Sequence, residues 1–88
     1  MRSVTFAADA WEEYLYWQGE DKKTLKKINK LLKIITRTPT DGEGEPEPLK
    51  HEHSGKWAHR INLQDRLVYS FTDETITVYQ CRGHYGDK

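Results

Sequence analysis

Trp57-Ala58-His59-Arg60-Ile61-Asn62 and Arg66-Leu67-Val68-Tyr69-Ser70-Phe71 alternate with a period of two, and that alternation decides the fold. Trp57, His59 and Ile61 point one way; Ala58, Arg60 and Asn62 point the other. Leu67, Tyr69 and Phe71 share one face, with Arg66, Val68 and Ser70 opposite. Asp73-Glu74 then turns the chain, and Ile76 and Val78 alternate with Thr75, Thr77 and Tyr79 up to Arg82. Connections this short imply antiparallel pairing. With Trp57, Ile61, Leu67, Tyr69 and Phe71 on a covered face, strand parity brings Arg60 and Arg66 out together on the open one. Two arginines there suggest an anion site.

Working outward from these strands, the period changes upstream. Ser3 to Phe6 reads as a short strand. Asp9 is placed to cap a helix, with Glu12 at the capping-box position. Trp11, Tyr14, Leu15 and Gln18 follow at helical spacing, and Gly19 is expected to break this helix after about Trp17. Asp21 can cap a second helix, in which Leu25, Ile28, Leu31, Leu32 and Ile35 form one apolar stripe. Thr38-Pro39 ends it. Asp41 to Pro48 holds two glycines and two prolines and reads as loop. The order β-α-α-β-β-β predicts an α+β fold: two N-terminal helices packed on one face of a mostly antiparallel twisted sheet. The aromatics Trp11, Tyr14, Trp17, Trp57, Tyr69 and Phe71 are assigned mainly to its core.

Eighty-eight residues make one domain, 1–88, with no room for separate cofactor and substrate domains. The longest aromatic or aliphatic run is Tyr14-Leu15-Tyr16-Trp17, against the roughly 20 apolar residues a membrane span needs. No apolar segment follows Met1, so no signal peptide is expected. The single cysteine, Cys81, can form neither an internal disulfide nor a Cys-rich zinc site. These features predict a cytoplasmic protein without a membrane partner.

The net charge is zero, which argues against bulk electrostatic adhesion to nucleic acid. The charges are nevertheless segregated. Residues 22–37 hold seven of the fourteen basic residues and no acid, whereas 41–52 hold five of the fourteen acids and one base, Lys50. A stripe of Lys22, Lys26, Lys30, Lys33 and Arg37 is ordinarily the wet face of an amphipathic helix. Its freedom from acids tips the reading towards a ribosome or RNA contact.

Glu47, Lys50, His51, Arg60, Arg66, His84 and Tyr85 could together do chemistry. Cationic side chains hold a phosphate and absorb the charge that develops on it. A carboxylate can take a proton and a histidine can give one. That is the minimum set for cleaving RNA with its own 2′-hydroxyl, a reaction needing no metal and no cofactor. Each residue also has a plain alternative. Glu47 could be a solvated loop acid, and Arg60 and Arg66 could pair with Asp65 or Glu74. His84 could fray near the chain end. Among the aromatics, Tyr85 is the exception to a core assignment and reads as a base-stacking ring. His51-x-His53 in an extended segment would place both imidazoles on one side, but no third metal ligand lies at a recognised spacing.

Several stretches resemble one family, the YoeB (Txe) toxins of the RelE/ParE superfamily. They are Trp11-Glu-Glu-Tyr-Leu-Tyr-Trp17, Lys27-Ile-Asn-Lys-Leu-Leu-Lys33, Arg37-Thr-Pro39, Pro46-Glu-Pro-Leu-Lys-His51, Ser54-Gly-Lys-Trp57, Arg66-Leu-Val-Tyr69 and His84-Tyr85. The resemblance runs in order from about Val4 to Tyr85. It implies a ribosome-dependent mRNA endonuclease, a YefM-type antitoxin that wraps the toxin and represses their shared operon, operator DNA contact only through that complex, and a homodimer. By resemblance, Glu47 corresponds to the general base, His84 to the general acid, Arg66 to the phosphate-stabilising arginine and Tyr85 to the ring on the substrate base. Lys50, His51 and Arg60 correspond to supporting residues around the phosphate. Three features depart from the pattern: Ala58-His59 replaces a Ser-Arg pair, Glu45 stands where relatives carry lysine, and residues 86–88 extend the chain. A ParE-like gyrase inhibitor would share the superfold without the Glu47, Arg66, His84 set. An inactive antitoxin-binding homologue is the other alternative.

Overall fold

The computed structural model describes residues 1–41 and 46–83. Its elements in chain order are β1 (Ser3–Phe6), α1 (Ala8–Glu20), α2 (Lys22–Arg37), β2 (Glu47–Pro48), a 3₁₀ turn (His51–His53), β3 (Trp57–Arg60), β4 (Arg66–Phe71) and β5 (Thr75–Gln80). They form the expected α+β arrangement, with one five-stranded sheet in the order β1-β5-β4-β3-β2. β1 runs parallel to β5, and the remaining pairs are antiparallel. Both helices pack against β1 and β5.

The period-two reading holds in the register. Trp57 faces Tyr69 and His59 faces Leu67, while Ala58 faces Val68 and Arg60 faces Arg66. Leu67, Tyr69, Ile76 and Val78 are fully buried with Ile28, Leu31 and Ile35 of the α2 stripe, and Trp17 and Ala10 of α1 join them. Burying each large aliphatic side chain contributes about 1.5–3 kcal/mol, so this helix-covered face carries most of the folding energy. The Tyr69 hydroxyl donates to the Pro39 carbonyl, which ties β4 to the end of α2. Burial raises the pKa of that phenol.

Asp21 caps α2 as expected. Its carboxylate accepts from the N–H groups of Lys23 and Thr24, both at 3.1 Å, and from Thr24 Oγ1 at 2.8 Å. The Thr24 hydroxyl bond, then the backbone bonds, hold its pKa below the usual carboxylate value. The folded state therefore favours the ionised form. This contribution is complete above the unfolded pKa and is lost as pH falls through the lower folded one.

Four local expectations are corrected. Asp9 does not cap α1: the cap position is Ala7, without a side-chain bond, and Asp9 lies in the first turn, where it complements the helix dipole. Gly19 does not break the helix, which runs on to Glu20 and closes with an Asp21 N–H to Trp17 carbonyl bond of 3.0 Å. An exposed glycine one residue from the end costs about 1 kcal/mol, too little to unwind a turn with that closing bond. Trp11 is 46% exposed and rests at the surface against Phe6 and Tyr14. Glu47-Pro48 is strand, not loop.

Candidate functional site

β2 is only two residues long, and it sets the position of the proposed base. Glu47 lies opposite Ala58, and Ala58 lies opposite Val68. Residues directly opposed across a ladder share a face. Glu47 is therefore on the open face with Arg60 and Arg66, which oppose each other in the β3–β4 ladder. Like charges placed this way repel, and a bound anion relieves that repulsion.

Arg66 is held by main chain rather than by an acid. Its Nη1 donates to the carbonyls of Asn62 at 2.7 Å and Asp65 at 3.1 Å. That loop is itself stiffened, because Asn62 Oδ1 accepts from the N–H groups of Gln64 and Asp65, both at 2.8 Å, as in an Asx turn. Among the described residues only Nη1 of Arg66 is engaged, and a guanidinium has three further N–H donors for an anion.

A second, small apolar cluster lies on the open face. Leu49, Ala58 and Val68 are buried there, with Tyr79 packed against them. Leu49 N–H donates to the Lys56 carbonyl at 2.9 Å. The cluster thus fastens the segment that follows Glu47 onto the sheet. From there the chain enters the 3₁₀ turn through His51 at φ +59°, a left-handed conformation that a non-glycine residue adopts at some cost. Glu47, Lys50 and His51 line one cleft of about 370 Å³, together with Glu52 and His53. The His51-x-His53 expectation is corrected, because the segment is 3₁₀ and residues two apart in such a turn do not share a side. Among the described residues no group of three His, Cys, Asp or Glu could hold a metal.

Sequence reasoning missed two groups on this face. Lys56 sits 4.3 Å from the centroid of the Tyr79 ring, and the Tyr79 hydroxyl bonds Ser70 Oγ at 2.9 Å. Tyr79 is the extra residue where the β4–β5 register shifts at Val68/Tyr69. Alternation already puts Tyr79 opposite Ile76 and Val78, but it gives no signal for the bulge, which brings Gln80 rather than Tyr79 opposite Val68. His59 is buried and its parity, opposite Leu67, turns it towards the helices and away from the open face. Burial, then the Asp65 carboxylate, pushes the Cys81 thiol up to about 12, which leaves it no nucleophile at neutral pH.

His84 and Tyr85 lie outside the described residues, as do Glu45 and 86–88. The chain leading to His84 is nevertheless tied to the site: Arg66 N–H donates to the Gly83 carbonyl at 2.9 Å, and Gly83 N–H donates to Asp65 Oδ1 at 2.8 Å. Lys22, Lys26, Lys30, Lys33 and Arg37 are all exposed. The last three line a groove of about 210 Å³ with Ile34. This stripe belongs to the helical layer, across the sheet from Glu47, Arg60 and Arg66.

The family model for the YoeB-like toxin of the bacterial type II toxin-antitoxin system matches residues 6–85. The toxin YoeB of Escherichia coli K12 is 50% identical over 82 residues, which cover 93% of this chain and 98% of that one. A solved YoeB-YefM complex from Staphylococcus aureus contains a chain 43% identical, with a TM-score of 0.88, covering 97% of this chain and 99% of that one. A YoeB dimer structure from the same organism gives 45% identity and a TM-score of 0.88, covering 96% and 98%.

Proposed function

Because this chain belongs to the YoeB-like toxins of bacterial type II toxin-antitoxin systems, we propose that it stops translation by cutting messenger RNA in the ribosomal decoding site. The observation that carries the reading is the shared open face of Glu47 and the opposed Arg60–Arg66 pair. In the proposed reaction Glu47 removes the proton of a ribose 2′-hydroxyl. The 2′ oxygen attacks the adjacent phosphorus, and the bond to the 5′ oxygen breaks. His84 protonates that leaving oxygen, so the products are a 2′,3′-cyclic phosphate and a 5′-hydroxyl end. Arg66, fixed by two carbonyls, meets the extra charge on the phosphoryl oxygens as it develops. Lys50, His51 and Arg60 hold the phosphate, and Tyr85 engages the base. The nucleophile already belongs to the substrate, so no metal-bound water is required.

The Lys22–Arg37 stripe is assigned to the ribosome. On the far side of the sheet it can grip RNA phosphates while the open face meets the message. A YefM-like antitoxin and a second copy of the chain are the proposed protein partners, as the S. aureus complex and dimer suggest. Operator DNA is reached only through the antitoxin complex. No helix among the described residues is long and apolar enough to cross a membrane, and cytoplasmic action is part of the proposal. The deciding experiment adds the purified protein to ribosomes carrying a defined message and maps 5′ ends by primer extension. A new end within the decoding-site codon is expected. Its absence, with antitoxin binding intact, would leave a toxin that acts without cutting RNA.

A further inference from the structure

β5 ends at Gln80, yet the three residues after it are held by a further set of hydrogen bonds. Glu13 Oε1 on α1 accepts from the N–H groups of Cys81 at 2.8 Å and Arg82 at 3.1 Å. Trp17 Nε1 donates to the Cys81 carbonyl at 2.9 Å. Asp65 Oδ1 accepts from Gly83 N–H at 2.8 Å, and the Gly83 carbonyl accepts from Arg66 N–H and Gln80 Nε2, both at 2.9 Å. Side chains thus take most of the main-chain groups that a neighbouring strand would otherwise pair. Gly83 turns at φ +81°, a value that favours glycine.

Two of these holders are carboxylates, and Asp65 is buried. Burying a carboxylate is costly unless strong bonds compensate, and bonds from N–H to an ionised acceptor are about twice as strong as neutral ones. Burial of Cys81 requires an acceptor for its N–H, but the N–H of exposed Arg82 could be satisfied by water. What the pair achieves is a fixed position for the Gly83 carbonyl carbon, the atom to which His84 is joined. Asp65 also binds the two halves of the site. Its side chain holds Gly83 and its own carbonyl holds the Arg66 guanidinium.

We propose that Asp65 and Glu13 are positioning residues for the cleavage step, fixing the backbone from which the proposed acid His84 extends; the inference rests on the nuclease reading above. Misplacing a reacting group by about 1 Å can cost on the order of 10²-fold. The test is single-turnover cleavage of a defined message on programmed ribosomes, over a range of ribosome concentrations. It uses Asp65→Ala, Asp65→Asn, Glu13→Ala, Glu13→Gln, His84→Gln and the Asp65→Ala/His84→Gln double variant, with unfolding midpoints followed alongside. The rate at saturation is expected to fall about 10–10²-fold in each alanine variant, while the half-saturating ribosome concentration stays put. Asparagine and glutamine keep an oxygen acceptor and should restore most of the rate. Because Asp65 acts through His84, the double variant should cut no more slowly than His84→Gln alone.

Wild-type rates in folded Asp65→Ala and Glu13→Ala proteins, with His84→Gln slow, would overturn the positioning role and spare the nuclease reading. So would losses that multiply in the double variant, or asparagine and glutamine variants as slow as the alanines. Wild-type cutting by His84→Gln would remove the acid assignment itself, and the positioning role with it. Should Asp65→Ala fail to fold, the Glu13 pair decides.

Discussion

The two faces of the sheet are built from the same strands and follow opposite rules. On the helix-covered face, Leu67, Tyr69, Ile76 and Val78 are fully buried against Ile28, Leu31 and Ile35. On the open face, the same β3–β4 ladder sets Arg60 against Arg66, and among the described residues the apolar packing is the small cluster of Leu49, Ala58 and Val68 with Tyr79. One face maximises buried apolar area. The other sets like charges opposite each other and enters its 3₁₀ turn through a left-handed His51. The packed core and the proposed site are thus separated by side-chain parity, one residue apart along each strand.

Substitutions should show that separation. The largest effects are expected on the open face. Glu47→Ala and His84→Gln should each lower the cleavage rate by about 10²–10⁴-fold. Arg66→Ala should lower it by about 10²–10³-fold. Single-turnover cleavage measures the loss, and thermal unfolding should find Glu47→Ala close to wild type because its side chain is exposed. On the other face, Ile76→Ala should cost about 2–5 kcal/mol of stability by denaturant titration. Cleavage per folded molecule should change little. A core variant that cut slowly while fully folded would break the comparison.

The helical layer supplies an intermediate test. Reversing Lys22, Lys26, Lys30 and Lys33 to glutamate should weaken ribosome binding far more than antitoxin binding. If four phosphates are contacted, raising salt from about 50 to 200 mM should lower wild-type affinity about 10²-fold, and the quadruple variant should lose most of that slope. Equilibrium sedimentation with ribosomes at several salt concentrations measures both. An unchanged affinity would return the stripe to a merely solvated surface. The smallest effect is the most diagnostic of a trade between the faces. Arg60→Thr removes a like-charge cross-strand pair and should raise stability by roughly 0.2–1 kcal/mol while slowing cleavage. Destabilisation there would mean that the arginine serves the fold rather than the phosphate.

Local periodicity made much of this fold legible. The α2 stripe, the Asp21 cap and the 57–71 alternation needed only neighbouring residues, and parity alone brought Arg60 and Arg66 together. Non-local determinants were hidden. Glu47-Pro48 reads as loop because prolines and acids dominate it, and its strand character comes from β3 and from Leu49 anchoring on the open face. The 3₁₀ turn at His51–His53 likewise defeated an extended reading. Glu13 contacts Cys81 across 68 positions in the chain, a relation no spacing rule detects. Residue type assigns Trp11 to the core, whereas its place on α1 leaves it at the surface. Composition singles out the site residues themselves, and family resemblance supplies their expected roles. Geometry now joins Glu47, Lys50 and His51 in one cleft and Glu47 to the arginine face.

The claim that the open face cleaves RNA with the substrate's own hydroxyl can be tested by one atom. A message carrying a single 2′-deoxynucleotide just upstream of the cut, placed in the decoding site of purified ribosomes, should bind as the all-ribose message does and remain intact when the protein is added. The all-ribose message should yield a 2′,3′-cyclic phosphate and a 5′-hydroxyl at the same position. Cutting of the deoxy message at that bond would contradict the account, because no nucleophile assigned to this site would then be present.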